Sequence, residues 1–396
     1  MGRLVERSAE GLIKACGFAS ALIVLLIVFF LFKEGISFLN SSPVEDHYAL
    51  FLHSGNPVTQ LDEGQIKDLF DKKITNWNQL TNYEYPVVLL TAGDLERLFT
   101  PEQLGKNLEY LNACVAHYID TVPGTLAYFS ERQLGLSPAI RIVPVPNISL
   151  WKFLSGRQWF PTAQPAAIMG TLPLILGTLL VSLLAILIAL PLGLAAAIYL
   201  AEIADPRMRN ILKPVIELLS GIPSVVYGFF GLVVIVPFIQ NLFGLPVGET
   251  ALAGSFLLAI MALPTIITVS EDAIRTCPIA VKEASLALGA SHWQTIFRVI
   301  LPYASSGITA AAILGIGRAV GETMAVLMVT GNAALMPTSL TQPVRTIPAT
   351  IAAELGEASF GGLHFKALFA LGCLLFLITL VTNLLVERTT SKSRKS

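Results

Sequence analysis

The sequence predicts an all-α polytopic membrane protein of six transmembrane helices, with an α/β domain inserted on the outer side. Three observations carry this. Charged residues make up 13% of the 396 positions and hydrophobic ones 54%, with a mean hydropathy of +0.68, whereas a soluble domain carries roughly 25% charge. Six runs are apolar over about the 20 residues that a spanning helix needs. Between the first two, residues 40–165 hold 9 basic and 13 acidic side chains in 126 positions, or 17%. The net charge of −1 excludes the basic face that nucleic-acid binding requires. Cys16, Cys114, Cys277, Cys373 and the five histidines fall in no metal-ligand spacing, so neither metal nor cofactor is expected.

The first span covers 15–32. No small-x-small site follows it, so it reads as a retained anchor and not as a signal peptide. The second lies within the 44 uncharged residues enclosed by Arg157 and Glu202, at roughly 169–201. The others cover 215–243, 250–270, 302–330 and 366–386. With the N-terminus inside, the inner segments carry thirteen Lys and Arg: Arg3, Arg7, Lys14, Arg207, Arg209, Lys213, Arg275, Lys282, Arg298, Arg388, Lys392, Arg394 and Lys395. The short outer loops 241–249 and 331–363 hold only Arg345. The positive-inside rule therefore places both termini in the cytoplasm. Only Cys114 then lies well outside, which predicts no intramolecular disulfide. The chain divides into 1–40 (tail and first span), 41–150 (insert), 151–390 (membrane core) and 391–396 (tail).

In the insert, strand-like runs at 48–53, 86–91 and 139–145 alternate with helix-like ones. Asp62 with Gln65 three residues on is a capping box. Ile66, Leu69 and Phe70 then form an apolar helical stripe. This aliphatic and aromatic content predicts a small folded α/β domain and not a disordered loop.

The inner segment 277–302 predicts two short helices. Pro278 suits a first turn, Gly289 a C′ position, and Ser291 with Gln294 a second capping box. Val281, Leu286, Leu288, Trp293, Ile296 and Phe297 are too apolar to stand in water without a partner. The run Glu283-Ala284-Ser285-x-x-x-Gly289, then nine residues, then Val299-x-Leu301-Pro302, resembles the EAA loop of ATP-binding-cassette importer permeases. Ser285 stands where the motif has its second Ala, and Val299 where it has Ile. The resemblance implies the type I importer permease fold. It also implies that Glu283, Ala284 and Gly289 belong to a coupling helix docking on a separate ATPase. The chain has no Gly-x-x-x-x-Gly-Lys-Ser/Thr loop, so ATP hydrolysis is assigned to another subunit.

Four stretches narrow the resemblance to the PstC-type permease family of phosphate importers: 153–161 (FLSGRQWFP), 197–204 (AIYLAEIA), 217–229 (ELLSGIPSVVYGF) and 317–326 (GRAVGETMAV). It covers 1–40 and 147–390. It implies four partners: a second permease (PstA-like), an ATP-binding subunit dimer (PstB-like), a periplasmic phosphate-binding protein (PstS-like) and the bilayer. Within the insert, 56–58, 61–70, 73–80 and 122–128 resemble a fragment of the phosphate-binding protein. That protein's phosphate-gripping Ser-Gly-Thr has no counterpart here. The sequence reads Thr91-Ala-Gly-Asp94-Leu-Glu96, whose carboxylates disfavour an anion. The insert is thus expected to dock the binding protein or support the partner permease.

Arg318 and Glu322 lie within an otherwise apolar run, where a charge costs about 2.5–3.5 kcal/mol even on the lenient insertion scale. Their i, i+4 spacing predicts one helix face and a mutual pair. The bland reading is an ion pair that fixes packing. The functional one is a substrate path, because a guanidinium fork suits a tetrahedral oxyanion. Glu217 reads as a helix-end residue or as part of the path, since Gly221, Pro223 and Gly228 interrupt the same run and broken backbone at membrane depth is tolerated only in protein or along a cavity. The alternatives are a PstA-type partner, a permease for sulfate or molybdate, and a membrane sensor whose insert detects a solute. A secondary transporter or channel fits less well, because it needs no ATPase dock and the halves show no internal repeat.

Overall fold

The computed structural model describes residues 2–45, 47–105, 108–134 and 138–393. Side chains at 2–9, 40 and 388–393 are outside the description, so the expected inner charges at Arg3, Arg7, Arg388, Lys392, Arg394 and Lys395, and most of the tail 391–396, lie beyond it. The chain forms two compact units. One comprises Met1–Gly35, Thr171–Ala358 and Leu368–Ser396; the other comprises Ile36–Gly170 and Ser359–Ala367. The second is wider than the 41–150 expected from sequence.

In the first unit, among the described residues, six helices are long and apolar enough to cross a membrane: Glu10–Ser37, Leu172–Ile203, Ser224–Phe243, Ala251–Arg275, His292–Gly321 and Leu363–Glu387. Span four is the most buried and carries the core. Thr250 opens it by accepting a hydrogen bond from the Ala253 N–H at 3.3 Å. Leu257, Met261 and Ile266 pack with Val181, Ala185 and Ala189 of span two. Lipid supplies no hydrophobic drive between helices, so close backbone approach must do the work. Small residues permit it. A Cβ on Gly307 of span five would meet Ala273 Cβ at 2.2 Å, and one on Gly193 would meet Ile266 at 2.7 Å. Spans one and six meet in the same way, where a Cβ on Gly35 would meet Cys373 Sγ at 2.7 Å, and the Cys373 thiol donates to the Leu31 carbonyl at 3.2 Å.

Two expected spans are corrected. The run 215–243 is not one helix. A helix with no buried side chain, Pro206–Ser220, ends before Gly221, and the span starts afresh at Ser224. Pro223 removes a backbone donor and restricts the residue before it, which separates the two. The run 302–330 is also broken. Span five starts earlier, at His292, by running through a π turn at Ile296–Ile300. It stops at Gly321; Glu322 is extended (φ −68°, ψ 131°), and a short helix Met324–Val329 follows. That helix packs on span three, where a Cβ on Gly228 would meet Met328 Sδ at 2.7 Å.

The second unit is built on four strands: β1 (Tyr48–His53), β2 (Val88–Thr91), β3 (Thr125–Ser130) and β4 (Ile140–Val143). Their order is β2-β3-β1-β4. β2 runs parallel to β3, while β1 is antiparallel to both β3 and β4. Three of these strands lie where the sequence expects them. The central β3 was not anticipated. Apolar clusters cover both faces: Leu50, Leu52, Leu126, Ile66, Leu69 and Trp77 form one, and Phe51, Ala127, Phe129, Leu90, Val115 and Ile119 the other. A strand buried on both faces reads as a continuous apolar run without alternation. The expected capping box is formed: Asp62 accepts from the Gln65 N–H at 2.8 Å, and Gln65 accepts from the Asp62 N–H at 3.1 Å.

Candidate functional site

The loop between spans four and five folds as two helical pieces, Ile279–Ala287 and a turn that opens at His292. Gly289 joins them at φ +83°, a conformation that needs glycine. An added Cβ there would touch nothing, so the demand is purely on the backbone. Ser291 and Gln294 cap each other's backbone N–H groups at 3.3 and 2.8 Å. The Ser285 and Thr295 hydroxyls bond across the elbow at 3.0 Å. Lys282 ties the first piece to Glu202, at the end of span two, at 2.5 Å. Beneath it, Ala197, Ile274, Cys277, Ile296, Ile300 and Ala304 form a buried cluster. The loop is therefore a fixed foot on the ends of spans two, four and five. Its far side stays apolar and open. Leu288 is 90% exposed, Trp293 and Phe297 stack with centroids 6.1 Å apart, and Glu283 and Ala284 are exposed beside them.

Arg318 is half-buried near the end of span five. Its guanidinium reaches the Thr265 hydroxyl at 3.5 Å and lies within electrostatic range of Tyr227. A Cβ added to Gly317 or Gly321 would meet nothing within 4 Å, so the helix beside Arg318 is open. The expected Arg318–Glu322 pair is absent among the described residues. The helix ends between them, and Glu322 instead turns to the next helix, accepting from the Ala325 N–H at 3.5 Å. The i, i+4 argument fails because it presumes an unbroken helix. Glu217 is exposed on Pro206–Ser220, outside span three. The structure thus brings Arg318 close to the break in span five but joins it to neither Glu322 nor Glu217.

Sequence reasoning missed Glu271. It is 1% exposed near the end of span four and takes Arg209 at 2.7 Å, Lys213 at 2.9 Å and Arg275 at 3.7 Å. Burial works against the Lys213 charge, but Glu271 and Asp272 hold its ammonium above the ordinary lysine value. The signal was present: Arg209 and Lys213 are four apart on one amphipathic helix, and Glu271 is the first charge after span four. Taking the span to end at Ser270 put Glu271 in the loop.

Six spans, two of them broken, with a rigid apolar foot at one end, define a multi-pass permease of the ABC importer class. The chain belongs to the family of binding-protein-dependent transport system inner membrane components, whose model matches residues 189–395. It is similar to the probable ABC transporter permease protein YqgH of Bacillus subtilis, with 40% identity over 250 residues, covering 63% of this chain and 81% of that one. It is 41% identical over 248 residues to the phosphate transport system permease protein PstC of Mesorhizobium japonicum, covering 58% and 75%. With PstC of Pasteurella multocida it shares 38% over 265 residues, covering 61% and 81%.

Proposed function

We propose that this chain is the PstC-type permease subunit of an ATP-driven inorganic phosphate importer, itself without catalytic chemistry. A second permease would complete the path. An ATPase dimer would take the foot at 278–298, and a periplasmic phosphate-binding protein would deliver the substrate. Both termini face the cytoplasm in this reading, because Lys and Arg concentrate on that side. The names of the similar PstC proteins support phosphate as the substrate.

The observation that carries the substrate path is Arg318. It is half-buried, has no carboxylate partner among the described residues, and sits beside the open glycines 317 and 321. A guanidinium in that state suits a passing phosphate, because its planar fork matches the oxyanion and its desolvation is not already offset by a fixed countercharge. Glu322 and Glu217 act here as path residues separated from Arg318 and not as its ion-pair partner. The insert stays outside the membrane and does not take phosphate by hydroxyl and N–H groups. Asp94 already occupies those of Thr91, accepting at 2.8 and 3.1 Å. The insert's role is then to dock the binding protein or to support the partner permease.

Phosphate uptake into proteoliposomes holding the assembled complex tests this. Arg318→Gln should abolish uptake while the subunits still co-purify. Normal uptake by that variant would sink the proposal. Sulfate or molybdate competing as well as unlabelled phosphate would move the substrate to another oxyanion.

A further inference from the structure

We propose that the extracytoplasmic unit carries a binding site for a small organic cation, between Glu45 and the aromatic pair Tyr48–Tyr128. This goes beyond the transport reading and does not rest on it.

The site is a cavity of about 390 Å³, within the size range of small-molecule pockets. It sits at the carboxyl ends of the parallel strands β2 and β3, where Thr91 and Tyr128 are register partners. Its walls are Tyr48, Phe70, Tyr128 and Pro165, with Ala92 and Gly93 at the strand exit. Four apolar or aromatic side chains with few polar groups are the make-up of a ligand pocket, since burial supplies affinity and the polar groups set identity.

The polar groups select for positive charge. Glu45 lines the cavity and is exposed to incoming solute. Among the described residues no basic side chain lines it; Gln164 and Thr91 complete its polar lining. The Thr91 donors, which could otherwise attract an anion, are taken by Asp94 at 2.8 and 3.1 Å. Tyr48 and Tyr128 lie with centroids 5.1 Å apart at 32°. The negative faces of such rings attract a cation within about 6 Å.

One polar group in the cavity wall is left without a partner among the described residues. Tyr128 is 9% exposed, and its hydroxyl is buried without a hydrogen-bond partner among the described residues. An orphaned buried hydroxyl is costly, of the order of 1–3 kcal/mol, and in a native fold it calls for an explanation. Tyr48, 39% exposed, lies against that ring at the cavity mouth. A ligand ammonium would donate to the Tyr128 oxygen and to the Glu45 carboxylate together. The hydroxyl is held strongly protonated, with its pKa pushed to about 12 by burial and then by Glu45 and Tyr48. It therefore meets the cation as a neutral acceptor.

The test titrates the full chain in nanodiscs with n-butylammonium chloride by calorimetry, at constant ionic strength. The neutral isostere 1-butanol is the control. Saturable binding of the cation but not of the alcohol is expected. Glu45→Gln should weaken it at least tenfold and Tyr128→Phe severalfold, with the thermal midpoint unchanged or raised in the latter. Three results would overturn the proposal: no saturable binding of butylammonium, equal binding of 1-butanol, or wild-type affinity in Glu45→Gln. Inorganic phosphate binding to the same wild-type protein, abolished by Glu45→Gln or Tyr128→Phe, would overturn it as well.

Discussion

The Glu271 carboxylate and the Arg209 guanidinium meet at 2.7 Å near one end of the membrane unit, and this contact joins the Pro206–Ser220 helix to span four. Glu271 is 1% exposed, whereas Arg209 and Lys213 are each 27% exposed. The helix buries no side chain of its own, so these ion pairs are its main specific attachment. Removing one partner of a buried pair costs about 3–5 kcal/mol when both are buried, and less where water reaches the cations. Glu271→Ala is therefore expected to lose about 1–3 kcal/mol, read as a lower unfolding midpoint of the purified chain. Adding Arg209→Ala to it should cost little more. If the two losses simply add, the contact is not coupled.

Gly307 sets the approach of spans four and five, with Ala273 Cβ only 2.2 Å from where its own Cβ would stand. Gly307→Val should force the helices apart at a cost of about 1–3 kcal/mol, typical of overpacking. Gly317→Ala on the same helix meets open space and should leave the midpoint unchanged or slightly higher, since alanine favours helix. Equal thermal losses in the two variants would show that packing at Ala273 is not the cause.

Leu288 is 90% exposed at the tip of the foot. Leu288→Asp should keep the chain's stability within about 0.5 kcal/mol, as for surface changes generally. It should nevertheless abolish co-purification of the ATPase subunit, because a charge placed in an apolar interface has to be desolvated. Full recovery of the ATPase with this variant would remove the foot from the docking surface.

Asp94 gives the second unit an acid-sensitive joint. The Thr91 hydroxyl and N–H hold its carboxyl below the ordinary 3.8. A carboxyl with a lowered folded pKa adds stability at pH above its unfolded value, and that stability is lost as pH falls through the folded one. Between pH about 4 and about 2, wild type should lose more stability than Asp94→Asn, whose side chain does not titrate. Thr91→Val should flatten the profile in part, because it removes the hydroxyl and keeps the N–H. Parallel melting curves of all three across that range would contradict this.

Elements dictated by neighbours in the chain were legible in the sequence. The capping boxes at Asp62–Gln65 and Ser291–Gln294 need only three residues and formed as expected. The φ > 0 hinge at Gly289 and the six apolar runs are of the same kind, since span length and helix punctuation are local properties. Strand β1 has the expected bounds, 48–53. β3 did not stand out, because a run of Thr-Leu-Ala-Tyr-Phe-Ser buried on both faces has no alternation to betray it.

What the tertiary structure alone decided is where span five stops and which charges meet. The break at 221–223 follows locally from Pro223, whereas span five stops at Gly321 inside an apolar run, and the short helix that follows it packs on span three, where a Cβ on Gly228 would meet Met328 Sδ. The stop at Gly321 parts Arg318 from Glu322, four positions away, while Arg209 and Glu271 meet across 62 positions. Composition and periodicity by themselves determined that this chain enters the membrane six times and presents an apolar foot. Ion pairing at membrane depth follows three-dimensional proximity, because desolvated charges are stabilised by whichever partner the packed backbone delivers, and no linear spacing encodes that.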